Sequence, residues 1–138
     1  MNDRLDSKIN APTLLVVQQV QEQLAPNSAI LASLNQIYIS ILRASTIVSW
    51  VQQHQPDLII LDLKWSEAID LQLISALRLD WLTRNIPILV IADSTPSQSA
   101  KNLDYDFCLI EPYSPLELEQ SICSLISIPI CKSCSLAA

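Results

Sequence analysis

Apolar positions fall in short blocks along the chain, and the spacing inside each block changes in a regular way. Thr13-Leu-Leu-Val-Val17 is a continuous apolar run, the pattern of a strand buried on both faces. After a polar stretch, Pro26 to Leu34 places Ala29, Ile30, Leu31 and Leu34 at helical spacing, with Pro26 suited to a first turn and Asn35 to a helix end. Ile37-Tyr-Ile-Ser-Ile-Leu42 alternates and is β-branched, which predicts a second strand. Thr46 to His54 returns to helical spacing through Ile47, Val48, Trp50 and Val51, and Pro56 ends it. Asp57-Leu-Ile-Ile-Leu-Asp62 predicts a third strand, four apolar residues bracketed by aspartates.

The second half repeats the theme. Ser66 to Leu79 predicts a helix with Ile69, Leu73, Ala76 and Leu77 on one stripe, and Asn85 to Ala92 predicts a fourth strand. Pro96 to Leu103 is at best a short polar helix, and Phe107-Cys-Leu-Ile110 is a fifth strand. Ser114-Pro-Leu-Glu117 is a capping box with proline at the first helical position; it opens a last helix carrying Leu118, Ile122, Leu125 and Ile126, which Pro129 closes. Five strands alternating with five helices imply an α/β fold, a parallel sheet covered on both faces. In such sheets function gathers outside the carboxyl ends of the strands. The residues there are Gln18 and Gln19, Asp62, Ala92 and Glu111.

Composition narrows the function. The chain has 138 residues and no glycine, where average usage of roughly 7% would give about ten. P-loops, dinucleotide fingerprints and the hydrolase nucleophile elbow all need glycine, so those readings fall. Any position requiring positive φ must be filled by Asn, Asp or another residue at a steric cost. The net charge is −6, and the eight basic residues are scattered singly, which argues against nucleic-acid binding. No run is long and apolar enough for a membrane span, and no secretory signal opens the chain; the expected location is the cytoplasm. Of four cysteines, Cys108 and Cys123 lie among apolar neighbours and are expected in the core. Cys131 and Cys134 have CxxC spacing in a stretch, 129–138, expected to be a flexible tail; residues 1–11 are expected to be a flexible N-terminus. A redox or metal role for Cys131 and Cys134 is the low-ranked alternative, because the one histidine, His54, is distant and no helix follows the motif.

The ordered set of segments resembles the receiver domain of response regulators. Pro56-Asp-Leu-Ile-Ile-Leu-Asp-Leu63 resembles the family's third strand, ending at its phosphoacceptor aspartate, here Asp62. Leu77-Arg-Leu-Asp80 followed by Thr83-Arg-Asn-Ile-Pro-Ile-Leu-Val-Ile91 resembles the approach to its fourth strand, and Glu111-Pro112-Tyr113 stands where the family has Lys-Pro-Phe. The resemblance runs over residues 12–128 as one domain. It implies a doubly wound five-stranded sheet in the order 2-1-3-4-5, a cis peptide before Pro112, and a site that holds Mg²⁺ and a phosphoryl group on the aspartate.

Residue by residue, only Asp62 survives from that site. The family's acidic pair corresponds to Gln18 and Gln19, or to Val17 and Gln18 with a shorter turn; neither register has a carboxylate. Ala92 stands at the Thr/Ser position and Glu111 at the Lys position, a charge reversal. Lys64 and Glu22 are candidates to compensate. The family's switch aromatic falls at Cys108 by spacing, with Phe107 beside it read as core packing. Trp50 reads as core, Trp65 as a pocket shield or a contact, and Trp81 as a candidate partner surface. Glycines usual around the family's aspartate loop are missing here.

The expectation is therefore a degenerate receiver in a two-component system or phosphorelay. It is not an enzyme, and it acts by protein contact with Mg²⁺-dependent phosphorylation lost and no cofactor. The partners implied are a histidine kinase or a downstream effector, and a homodimer through the last helix and fifth strand. The alternative is an active receiver phosphorylated on Asp62, with Lys64 and Glu22 rearranged into the site.

Overall fold

The structure, a computed structural model, describes residues 11–18, 24–40, 44–63, 68–93 and 104–126. Five strands form one parallel sheet: β1 (Thr13–Gln18), β2 (Asn35–Ser40), β3 (Leu58–Leu63), β4 (Ile88–Ala92) and β5 (Phe107–Ile110), in the order β2-β1-β3-β4-β5. Four helices are present among the described residues: α1 (Ala29–Ala32), α2 (Ala44–His54), α3 (Ala68–Leu79) and α4 (Pro115–Leu125). The sequence predicts five. The remaining one, Pro96 to Leu103, lies outside the described residues, as do the N-terminal stretch 1–10 and the tail from 127 onward.

The two-residue period of the strands divides the core into two layers. Leu15, Val17, Ile59, Leu61, Ile88, Val90 and Ala92 pack on one side, against Ile47 and Val51 of α2 and Leu73, Ile74 and Leu77 of α3. Leu14, Val16, Leu58, Ile60, Leu89, Ile91 and Leu109 pack on the other, against Leu31 of α1 and Leu118 and Ile122 of α4. Both faces of β1, β3 and β4 are buried. That is why their sequences are continuous apolar runs and not alternating ones.

Local hydrogen bonds set the element ends. Asn35 begins β2 and does not cap a helix: its N–H donates to the Pro12 carbonyl at 2.9 Å and its side-chain amide to the Ala11 carbonyl at 3.1 Å. The first helix starts later than its proline suggests, because the Ser28 hydroxyl accepts the Leu31 N–H at 3.2 Å and fixes the N-cap there. The same hydroxyl donates to the Glu119 carboxylate, tying α1 to α4. The capping box of α4 forms as its sequence predicts, with Ser114 and Glu117 bonding reciprocally at 3.1 Å each way. The Glu111–Pro112 peptide is cis, as the resemblance implies.

Without glycine, two described residues take positive φ, Ala25 at 37° and Gln55 at 46°. Neither is the Asn or Asp that propensity favours. Gln55 follows α2 and recovers part of the cost. Its side-chain amide donates to the carbonyls of Gln52 at 3.2 Å and Leu82 at 3.0 Å, while its N–H bonds the Val51 carbonyl at 2.9 Å.

Three side chains depart from expectation. Phe107 is exposed, at 44%, and is not a core residue, because β5 is an outer strand and Phe107 opens it. Trp50 packs against the α2/α3 core as expected but only at its margin, half-buried, where it stacks on His54, ring centroids 4.1 Å apart, while the His54 Nδ1 bonds the Trp50 carbonyl at 2.9 Å. A carbonyl only accepts, so that nitrogen carries a proton, and the lone histidine is engaged in packing. Cys123 is disulfide-bonded and not a simple apolar core residue, whereas Cys108 is a free thiol packed against the α2/α3 layer.

Candidate functional site

The carboxyl ends of β1, β3, β4 and β5 converge on one edge of the sheet, and the residues singled out by sequence stand there. Asp62 is the fifth residue of the six-residue β3. Its register partner on one side is Gln18, the last residue of β1, and on the other Ile91 of β4. Gln18 is 1% exposed while Asp62 is half-buried. A fully buried amide next to the aspartate supplies hydrogen bonds but no charge. The position where a metal site needs a second carboxylate is thus filled by a neutral group.

Ala92 does not stand next to Asp62. It pairs with the backbone of Leu63, and its methyl is fully buried in the α2/α3 layer among Val17, Leu61 and Val90. By strand parity Gln18 and Asp62 belong to the opposite face. A hydroxyl introduced at Ala92 would sit in a packed apolar environment unless it turned around the strand end.

Glu111 leaves β5 immediately after Ile110, its N–H bonded to the Ala92 carbonyl at 2.8 Å. Its side chain is exposed and lines a cleft of about 300 Å³ with Ala25, Pro112, Tyr113 and Pro115. Among the described residues it forms no ion pair. Sequence reasoning passed over one acid: Asp93, exposed, directly after β4. Its place past a strand end was the signal that could have found it. The edge therefore carries Asp62, Asp93 and Glu111 as carboxylates and no lysine or arginine among the described residues. Gln19, Glu22, Lys64, Trp65, Cys131 and Cys134 lie outside the described residues.

The described residues alone make a poor set of ligands for Mg²⁺. Among the described residues no three His, Cys, Asp or Glu side chains are gathered as a cation cage would need. Asp62 with a neutral Gln18 offers one negative ligand where the ion's charge calls for more. Among the described residues at this edge there is no lysine or arginine of the kind that stabilises a phosphoryl dianion.

Two titratable groups around β5 are shifted by their surroundings. Burial pushes the Cys108 thiol up from its ordinary 9.0. Burial first, and the neighbouring Cys108 second, push the Tyr105 hydroxyl up from 10.0. Both shifts follow from packing against the α2/α3 layer.

No protein-family model matches the chain, and no curated protein matches it. Solved structures do. A signal receiver domain of a two-component histidine kinase from Clostridium thermocellum is 20% identical, with a TM-score of 0.64 over 85% of this chain and 98% of that one. A CheY-like response regulator receiver domain from Methylobacillus flagellatus is 18% identical, with a TM-score of 0.64 over 85% of this chain and 100% of its own. The chemotaxis response regulator CheY4 of Vibrio cholerae is 16% identical, with a TM-score of 0.65 over the same shares, 85% and 100%. No helix among the described residues is long and apolar enough to cross a membrane. With its strand order, its two-sided helical cover and these likenesses, the chain has the CheY-like fold of response-regulator receiver domains.

Proposed function

We propose that this chain is a degenerate receiver module: it works in two-component signalling through protein contact, without a Mg²⁺-dependent phosphorylation cycle and without a reaction of its own. The observation that carries this reading is the buried Gln18 beside Asp62. Around it, Ala92 offers no hydroxyl and Glu111 replaces a cation with an anion. Two like charges 4 Å apart repel by about 4 kcal/mol at an effective dielectric of 20. A dianionic phosphoryl group on Asp62 would meet Asp93 and Glu111 along the same edge with little to offset it. Asp62 then acts as a polar strand end within the fold, and signalling passes through surfaces. The partner is a histidine kinase or a downstream effector in the cytoplasm, and the α4/β5 side, where Phe107 and Leu116 are exposed, is the contact or dimer face.

The test is direct. The full chain is incubated with acetyl phosphate and Mg²⁺ and its intact mass followed. The expected result is no gain. A stoichiometric gain of one phosphoryl group, absent in Asp62→Ala, overturns the reading in favour of an active receiver completed by Lys64 and Glu22.

A further inference from the structure

The large apolar side chains that stand in solvent are not scattered. Of the six among the described residues, Leu79, Trp81 and Leu82 lie together at the end of α3, and Phe107 and Leu116 lie on the α4/β5 side. We propose that these two patches are the halves of one contact: the loop at the end of α3 docks into the cleft between β5 and α4 of a second copy, head to tail. This rests on the contact role proposed for the α4/β5 side and names what fills it.

The loop holds its apolar groups outward on a fixed backbone. Leu79 is 86% exposed, and Trp81, which the sequence marks as a candidate partner surface, is 73% exposed. The Asp80 carboxylate accepts the Leu82 N–H at 2.8 Å and an amide hydrogen from Gln52 of α2. Gln55 donates to the Leu82 carbonyl at 3.0 Å, and Arg78 to the Arg84 carbonyl at 2.6 Å. Thr83 is fully buried, with its hydroxyl donating to the Leu77 carbonyl. A loop fixed in this way has little freedom left to lose on binding. Tryptophan beside arginine is the composition of an interface hot spot. The arginine is Arg84. Arg78 and Arg84 are the two Lys or Arg residues among those described; Arg78 is paired with Asp106, whereas Arg84 is exposed and forms no ion pair among the described residues.

The receiving surface has the opposite character. Phe107 and Leu109 share a face of β5 by strand parity, and with Glu117 they line a cleft of about 240 Å³. Small-molecule pockets run to roughly 300–1,000 Å³, so this cleft suits an inserted side chain better than a ligand. Glu117 gives one carboxylate oxygen to the capping box and keeps the other for a partner. Trp81 thus meets an apolar floor and Arg84 a carboxylate beside it, a match in polarity and in charge. The net charge of −6 opposes the approach of two copies. At physiological ionic strength that repulsion is screened beyond about 8 Å, while the contact pair acts within that range.

The placement of the two halves sets the kind of assembly. The loop is tied to α2, on the sheet face that α2 and α3 cover. The cleft lies at the outer strand β5, on the face that α4 covers. Different surfaces of the two copies therefore meet, and each contact leaves one loop and one cleft unfilled. Such a heterologous contact grows into a ring or an open chain and does not stop at a two-fold dimer. It joins side chains and leaves the β5 backbone edge unused.

The experiment is sedimentation velocity on the full chain at physiological salt, in a concentration series up to about 1 mM, the weak end of the affinity scale. Reversible growth past the dimer is expected. Trp81→Ala, Phe107→Ser and Arg84→Glu should each weaken association by at least about tenfold, as hot-spot side chains do. Trp81 is exposed, so its variant should keep the parent urea midpoint. An equal mixture of Trp81→Ala, which keeps a cleft, and Phe107→Ser, which keeps a loop, should form dimers and nothing larger. A parent chain that stays monomeric throughout, a mixture that stays monomeric, or association unchanged by Arg84→Glu overturns the inference. Association lost in Phe107→Ser but untouched in Trp81→Ala also overturns it, while leaving the α4/β5 side as a dimer face. None of these outcomes depends on whether Asp62 accepts a phosphoryl group.

Discussion

Gln18 and Asp62 are register partners across β1 and β3, so the amide occupies the place beside the aspartate that a second carboxylate would need in a cation site. Gln18→Asp should make the chain sensitive to Mg²⁺. In chelator at neutral pH the variant is expected to lose stability by less than about 4 kcal/mol, the repulsion of two unit charges 4 Å apart at an effective dielectric of 20. Millimolar Mg²⁺ should restore much of it, and so should acid, by protonating one carboxyl. The parent chain should show the same urea midpoint with and without Mg²⁺. Equal Mg²⁺ responses in parent and variant would show that the amide is not what sets the charge of this edge.

Arg78 joins the end of α3 to the approach of β5. Its side chain is 13% exposed and bonds the Asp106 carboxylate at 2.5 Å, with further donations to the carbonyls of Asp104 at 2.6 Å, Arg84 at 2.6 Å and Ile86 at 2.9 Å. Asp106 in turn accepts the Ile88 N–H at 2.7 Å, so one ion pair positions the starts of both β4 and β5. The guanidinium is largely buried but Asp106 is exposed, so losing these charge-assisted bonds costs about 1.5–3 kcal/mol and not the full penalty of a buried pair. Arg78→Ala should therefore destabilise the chain by that order in urea unfolding. Arg78→Lys should recover only part, because an ammonium cannot span four acceptors as the guanidinium fork does.

Alkaline stability should be governed in part by the Cys108–Tyr105 pair. Burial raises both groups above their ordinary values of 9.0 and 10.0, so the folded chain holds these protons more tightly than the unfolded chain. Their contribution is complete below those values and is lost as the pH climbs through the raised ones. Stability is expected to be level in this respect near about pH 7 and to decline above about pH 9. Cys108→Ala combined with Tyr105→Phe should flatten that decline in pH-dependent thermal melts. An unchanged alkaline slope would assign the loss to other groups. The same shift predicts slow alkylation of Cys108 at neutral pH, compared with a free thiol.

Positive φ without glycine offers a stabilisation test. The left-handed region costs an L-residue about 1–2 kcal/mol. Ala25, at φ 37°, has only a methyl to set against it. Ala25→Gly should raise stability by up to about 1 kcal/mol, allowing for the added freedom of the unfolded chain. Gln55→Gly should gain nothing or lose, because the amide that reaches the Leu82 carbonyl goes with it. Paired urea titrations separate the two cases.

The strands β1, β3 and β4 were legible because burial on both faces leaves a continuous apolar run, and the sheet order followed from the family resemblance. The capping box at Ser114 was legible because it is written in four consecutive residues. Less was visible where distant groups decide. Pro26 looked like a helix start until the Ser28 hydroxyl, held between Leu31 and Glu119, fixed the cap two residues later. Asn35 suited a helix end by propensity, but its amide is claimed by Ala11 at the start of β1. Phe107 read as core because hydrophobicity says nothing about which strand lies outermost. At the site, the neutral neighbour of Asp62 could be read from order alone. The burial of Ala92 in the opposite layer required strand parity in three dimensions, and the bond at Cys123 is not written in its apolar neighbourhood.

The placement of β2 and β5 at the two margins of the sheet bears on self-association. An outer parallel strand presents unpaired backbone groups that can template further pairing, which is the route to fibrils and swapped assemblies. Here β5 is four residues long and is followed after one residue by Pro112, which has no N–H to offer a neighbour. β2 opens on Asn35 and Gln36, whose amides are already bonded to Ala11 and Leu31. A chain that is half apolar and lacks glycine thus blunts both margins by brevity and by polar side chains committed elsewhere. Lengthening β5 or replacing those amides with valine would be the surest way to turn this architecture into an aggregating one.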